Sequence, residues 1–157
     1  MRSKTVMDEE SYRQVYGRIN NAPCVFEKAI LSLKCKCAYQ HMFRLADRHG
    51  VGCTDTVMQL SCKGFLDHLR QQTRFLFKIT IDGPLPHNKE IKVQNGGMLG
   101  VQKLLLDDSA AENVDDVAGL MMKAIEVYGG IEALPYNLIM PSVTNYKTRP
   151  KRQPKKK

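Results

Sequence analysis

The apolar residues recur with a helical period through the first seventy positions and then switch to alternation. Tyr12, Val15, Tyr16 and Ile19 are spaced by three, one and three, which marks one face of a helix over residues 9–20. Asn20, Asn21 and Pro23 end it, because asparagine favours turns and proline cannot continue the ladder. A second helix is predicted over 24–33, with Val25, Phe26, Ala29, Ile30 and Leu33 on its apolar face and Pro23 at its start. A third is predicted from Ala38 to His49, on Tyr39, Met42, Phe43, Leu45 and Ala46, closed by Gly50 and Gly52. Thr54 or Asp55 caps a fourth, in which Val57, Leu60, Ser61, Gly64, Phe65, His68 and Leu69 keep the period.

From Phe77 the period becomes two. Phe77, Ile79 and Ile81 alternate with Lys78 and Thr80, and Ile91 and Val93 alternate with Lys92 and Gln94. The Gly- and Pro-containing stretch between them makes this a small antiparallel hairpin. Two strands alone are marginal in water, so the hairpin is expected to pack on the helices. A short helix fits Met98–Leu106. Ser109 and Glu112 then form a capping box for a helix carrying Val114, Val117, Ala118, Met121, Met122, Ile125 and Tyr128, closed by Gly129 and Gly130. Pro135 and Pro141 punctuate an apolar segment expected to pack irregularly. The predicted fold is α+β and predominantly helical, with one globular domain over 1–146.

Charge changes this picture only at the end of the chain. The formal net charge is +8, yet seven positive charges belong to Lys147, Arg149, Lys151, Arg152, Lys155, Lys156 and Lys157, and no acidic residue follows Glu132. Residues 1–146 are therefore nearly neutral. The basic tail, 147–157, cannot bury enough apolar surface to offset chain entropy and is expected to be disordered. It could attract phosphates by counterion release, so one alternative reading is a binding module for nucleic acid or an acidic protein. No aromatic residue beyond Tyr146 accompanies it to stack on bases.

A 157-residue chain with 43% hydrophobic and 25% charged residues is ordinary for one globular domain. No run approaches the roughly 20 apolar residues of a membrane-spanning helix, and no secretory apolar region follows the N-terminal charges. A cytoplasmic location, where thiols stay reduced, is the expectation.

Cys24, Cys35, Cys37, Cys53 and Cys62 carry the sharpest chemical signal, because all five fall within 39 consecutive residues. Four thiolates can hold zinc tetrahedrally or an iron–sulfur cluster. The expected ligands are Cys24, Cys35, Cys37 and Cys53, with Cys62 able to replace any of them. A smaller site would use Cys35, Cys37 and Cys62 with His41. The spacing matches no paired C-x-x-C motif. A continuous helix from Cys24 to Cys35 would hold those two about 16 Å apart, so a shared centre requires the segment to bend. Lys34 and Lys36 flank the Cys-Lys-Cys sequence, and positive charge there is expected to lower thiol pKa. The favoured function is metal binding, with an iron–sulfur cluster preferred over zinc, in electron transfer or sensing with a redox partner protein. A thiol redox protein without metal is a further reading.

Other constellations are weaker. Asn95–Gly100 could hold phosphate at a strand–helix junction, but it is not G-x-G-x-x-G and no Walker lysine follows. His41, His49, His68 and His87 form no helical metal pair, and a Cys53–His49 nucleophilic pair has no supporting motif. The acidic residues Asp107, Asp108, Glu112, Asp115 and Asp116 suit a helix N-terminus electrostatically. No catalytic signature is present.

Overall fold

The computed structural model describes residues 8–80, 82–108 and 110–148. The fold is α+β and mostly helical, with a single two-stranded antiparallel sheet among the described residues. Helix α1 (Glu9–Ile19) opens at Asp8, whose carboxylate accepts the Ser11 N–H at 2.7 Å. None of its residues is buried. It lies on the sheet through the Tyr16 ring, 5.7 Å from Phe43, and through Arg48, which covers the Tyr12 ring and pairs with Glu9.

Helix α2 is short (Glu27–Leu31), shorter than the 24–33 predicted. Phe26, Ala29 and Ile30 are buried, whereas Leu33 is 82% exposed and takes a left-handed φ of 64°. That residue reverses the chain, a common way for a helix to end.

Strands β1 (Gln40–Leu45) and β2 (Arg48–Cys53) pair from Gln40 opposite Cys53 to Leu45 opposite Arg48. This corrects the helix predicted over Ala38–His49. The deciding contact is Gly50 facing the Phe43 ring: a Cβ at Gly50 would stand 2.3 Å from Phe43 Cζ, so the ring seals against bare backbone across the sheet. Glycines read as helix terminators are thus strand residues, and Ala46, at φ 54°, makes the turn.

Helix α3 (Thr56–Leu76) is capped by Asp55, which accepts the Met58 N–H at 2.9 Å. Its buried face is Met58, Cys62, Phe65, Leu66, Leu69 and Thr73; Val57 and Leu60, expected on the core side, are exposed. Helix α4 (His87–Ile91) passes through a π-helical turn (Lys92–Gly96) into α5 (Gly97–Leu106). The hairpin predicted over 77–93 is therefore absent from the described residues; Ile81 lies outside them. Ile91 and Val93 imitate a strand because the wider turn shifts which positions face inward, and Val93, Gln94, Asn95, Gly96 and Gly97 are all buried. The glycines of this stretch serve packing rather than a phosphate loop: a Cβ at Gly96 would meet the Ser142 carbonyl oxygen at 2.6 Å.

Helix α6 (Val117–Tyr128) follows, then a single 3₁₀ turn (Ile131–Ala133) and α7 (Tyr136–Thr144). α6 begins at Val117, with Val114 outside it, and Ser109 of the expected capping box lies outside the described residues. Gly129, at φ 91°, closes α6 as expected. The irregular packing expected around Pro141 is instead a helix, because Tyr136, Ile139, Met140 and Val143 bury one face of α7 despite the interior proline. One apolar cluster runs from Phe26 to Val143, with Phe65, Leu66, Leu69, Met98, Met121 and Ile139 at its centre. No helix among the described residues is long and apolar enough to cross a membrane. Of the basic tail, Lys147 and Thr148 are described; the rest lies outside the described residues.

Candidate metal centre

Three separate stretches of backbone converge on the thiols. Residues 22–24 join the sheet as an extra rung beside β2: the Cys24 N–H donates to Val51 O at 2.9 Å, and the Cys53 N–H donates to Ala22 O at 2.7 Å. Cys24 stands opposite Val51 and Cys53 opposite Ala22, so the two cysteines lie diagonally across this pairing. Cys37 is brought to the same place from the other side. Its N–H donates to the Gln40 side chain at 2.9 Å, its carbonyl accepts the Gln40 N–H at 3.1 Å, and Gln40 pairs with Cys53. Cys62 arrives on α3, which is tied to this corner by Gln59 donating to Pro23 O at 2.7 Å. It is buried and faces inward.

The bend required between Cys24 and Cys35 is made by the short α2. The Lys34 and Cys35 N–H groups both fold back onto Ala29 O, at 3.1 and 3.3 Å. Residues 35–37 then run beside 114–117, with Lys36 donating to Val114 O at 2.9 Å and Val117 donating to Lys36 O at 2.8 Å. This places the N-terminus of α6 against Cys37.

All five thiols are free. Burial pushes Cys24, Cys35 and Cys62 up to about 12, and raises Cys37 as well. The lowering expected from Lys34 and Lys36 does not occur, because both lysines are exposed and desolvation dominates. Opposing it, the backbone N–H of Phe26 beside Cys24, and those of Tyr39 and Ala118 beside Cys37, favour the thiolate and hold the rise in check. Backbone donors of this kind stabilise thiolate charge. The Cys53 thiol donates to Asp55 O at 3.1 Å.

The thiols also act on one another, and the pattern separates four from the fifth. Every pair among Cys24, Cys37, Cys53 and Cys62 interacts electrostatically, each neighbour disfavouring the other's ionisation. Cys35 interacts with Cys24 and Cys37. Cys62, a substitute in the expected ligand set, thus feels the charge of the other three, whereas Cys35 feels Cys24 and Cys37. As the side chains stand, no group of three or more His, Cys, Asp or Glu residues is placed to hold a metal ion among the described residues.

The histidines lie elsewhere. His41 is exposed on β1 and stacks on Phe43. His49 is four residues from Cys53 along β2, about 13 Å at strand rise, so the two form no nucleophilic pair. His68 stacks on Tyr136, with ring centroids 4.8 Å apart. What sequence reasoning missed were the N–H donors of Tyr39 and Ala118, which no local motif announces.

Comparison with protein-family models, curated proteins and solved structures gave no match to this chain.

Proposed function

We propose that this chain carries an iron–sulfur cluster on Cys24, Cys37, Cys53 and Cys62, for electron transfer or sensing. What supports the reading is that backbone pairing and the position of α3 bring Cys24, Cys37, Cys53 and Cys62, from two loops, one strand and one helix, toward one corner, with backbone N–H groups beside two of them. The donor set suits the group, because thiolates are the usual ligands of such clusters and N–H groups near the sulfurs tune their potential. A cluster, when bound, supplies one-electron transfer.

Zinc is the less favoured occupant. It requires sulfurs about 2.3 Å from one common centre. A polynuclear cluster is a larger body and tolerates wider separation. The chain's own part is to keep the thiols dry, to reduce charge repulsion through the Phe26, Tyr39 and Ala118 N–H groups, and to release the thiol protons as ligands form. Such chemistry needs a redox partner protein. Five free thiols also suit a reducing compartment such as the cytoplasm.

The test is anaerobic purification or reconstitution of the full chain, followed by iron and sulfide analysis and a visible spectrum. Equal amounts of iron and sulfide with broad visible absorption, bleached by dithionite, are expected. A colourless protein holding zinc alone, or one that stays free of metal after reconstitution, contradicts the proposal.

A further inference from the structure

A cleft of about 520 Å³ is lined by residues of α5, by Asp108, Ala111 and Glu112, and by residues at the end of α7, separate from the thiol corner. Lys34, Lys103 and Lys147 line it, and among the described residues none of the three ammonium groups has a hydrogen-bond or ion-pair partner. Tyr146 also lines the cleft. Its hydroxyl oxygen accepts a hydrogen bond from the buried Asn95 amide at 3.0 Å, which leaves the phenolic proton free to donate. The Asn95 side-chain oxygen, buried behind Tyr146 and outside the lining of the cleft, has no partner.

Unpartnered ammonium groups and a free O–H donor together attract an oxyanion. Asp108 and Glu112 line the same cleft. One Asp108 oxygen accepts the N–H groups of Ala110 and Ala111, and the Glu112 carboxylate has no partner among the described residues. Two carboxylates repel a bare polyanion and accept hydroxyl or ammonium groups. The volume suits a small organic molecule.

We infer that this cleft binds a small organic phosphate or carboxylate whose oxyanion lies among Lys34, Lys103, Lys147 and the Tyr146 hydroxyl, and whose hydroxyl or ammonium groups reach Asp108 and Glu112. The assignment is independent of the cluster. Lys34 directly precedes Cys35, so an occupant sits against the same segment that delivers Cys37.

Two probes test it, glycerol 3-phosphate and inorganic phosphate, titrated separately into the ¹⁵N-labelled full chain and followed by NMR. Saturable shifts at Lys34, Leu99, Lys103 and Asn145 are expected, with glycerol 3-phosphate the tighter of the two. Lys103→Ala removes one charge-assisted contact and should weaken binding roughly tenfold. Tyr146→Phe keeps the ring, loses the donor and should weaken it several-fold. Shifts confined to residues 149–157 would mean that the basic tail alone captures phosphate, and would overturn the inference. Unchanged affinity in Lys103→Ala, or equal affinity for the two probes, would overturn it as well.

Discussion

The thiol corner and the helical half of this protein are held together by different means. Around residues 20–62 the chain is fixed by backbone pairing and by polar side chains that finish it. Cys24, Cys37 and Cys53 are located by hydrogen bonds to Val51, Gln40 and Ala22. The Glu27 carboxylate accepts the Val51 N–H at 2.9 Å as well as the Tyr16 hydroxyl. From Phe65 to Val143 the order comes mainly from close packing, with Phe26 and Tyr136 at 6.4 and 6.1 Å from Phe65 between ring centroids, and from a partly buried polar network of Arg70, Glu90 and Gln94. A region specified by hydrogen bonds can hold polar chemistry at a defined place. A packed one supplies the stability that makes this affordable.

The comparison can be broken most severely with pH. Cys24, Cys35 and Cys62 have an ordinary value of 9.0 and are held at about 12 in the folded protein. Between those values the unfolded chain has lost thiol protons that the native state still keeps. Stability is therefore full below pH 9 and falls as pH rises toward 12, by up to about 1.4 kcal/mol per pH unit for each thiol. Denaturant melts of metal-free protein at pH 8 and pH 10.5 check this, and equal midpoints would contradict it. Cluster loading should show the reverse trend, with binding favoured at higher pH.

Phe65→Ala attacks the packed half. Phe65 is fully buried, and its removal should cost about 3–5 kcal/mol, read as a fall in the denaturation midpoint of the whole chain. Glu27→Ala attacks the other region by leaving the Val51 N–H without its acceptor. A loss of about 1–3 kcal/mol is expected, with faster amide exchange at Val51 and in α1, while the amides of α5 and α7 keep their protection. The smallest effect belongs to Arg48→Ala. Its pair with Glu9 lies in solvent and its stacking on Tyr12 is at the surface, where such contacts contribute about 0–1 kcal/mol each, so a small fall in melting temperature at most is expected.

What could be read in the sequence followed the same division. α1 and the closure of α6 at Gly129 were legible, because a periodic apolar face and a glycine with positive φ are local facts. The Ala38–His49 segment was misread because its apolar residues fit both periods, and only the distant pairing with Pro23 and the Phe43–Gly50 contact choose the strand. Ile91 and Val93 were misread because a π-helical turn imitates alternation over four residues. The thiols were visible as candidates from their crowding. The proposed set was not, since it depends on the placement of α3, which carries Cys62, and on a pairing between residues nearly eighty positions apart that brings the α6 N-terminus to Cys37.

The most direct test compares Cys62→Ser with Cys35→Ser, each reconstituted anaerobically and assayed for iron and sulfide in parallel. Cys35→Ser should keep the full complement, and Cys62→Ser should lose it or retain an unstable remnant. Iron retained in Cys62→Ser and lost in Cys35→Ser would contradict the assignment of the four thiols.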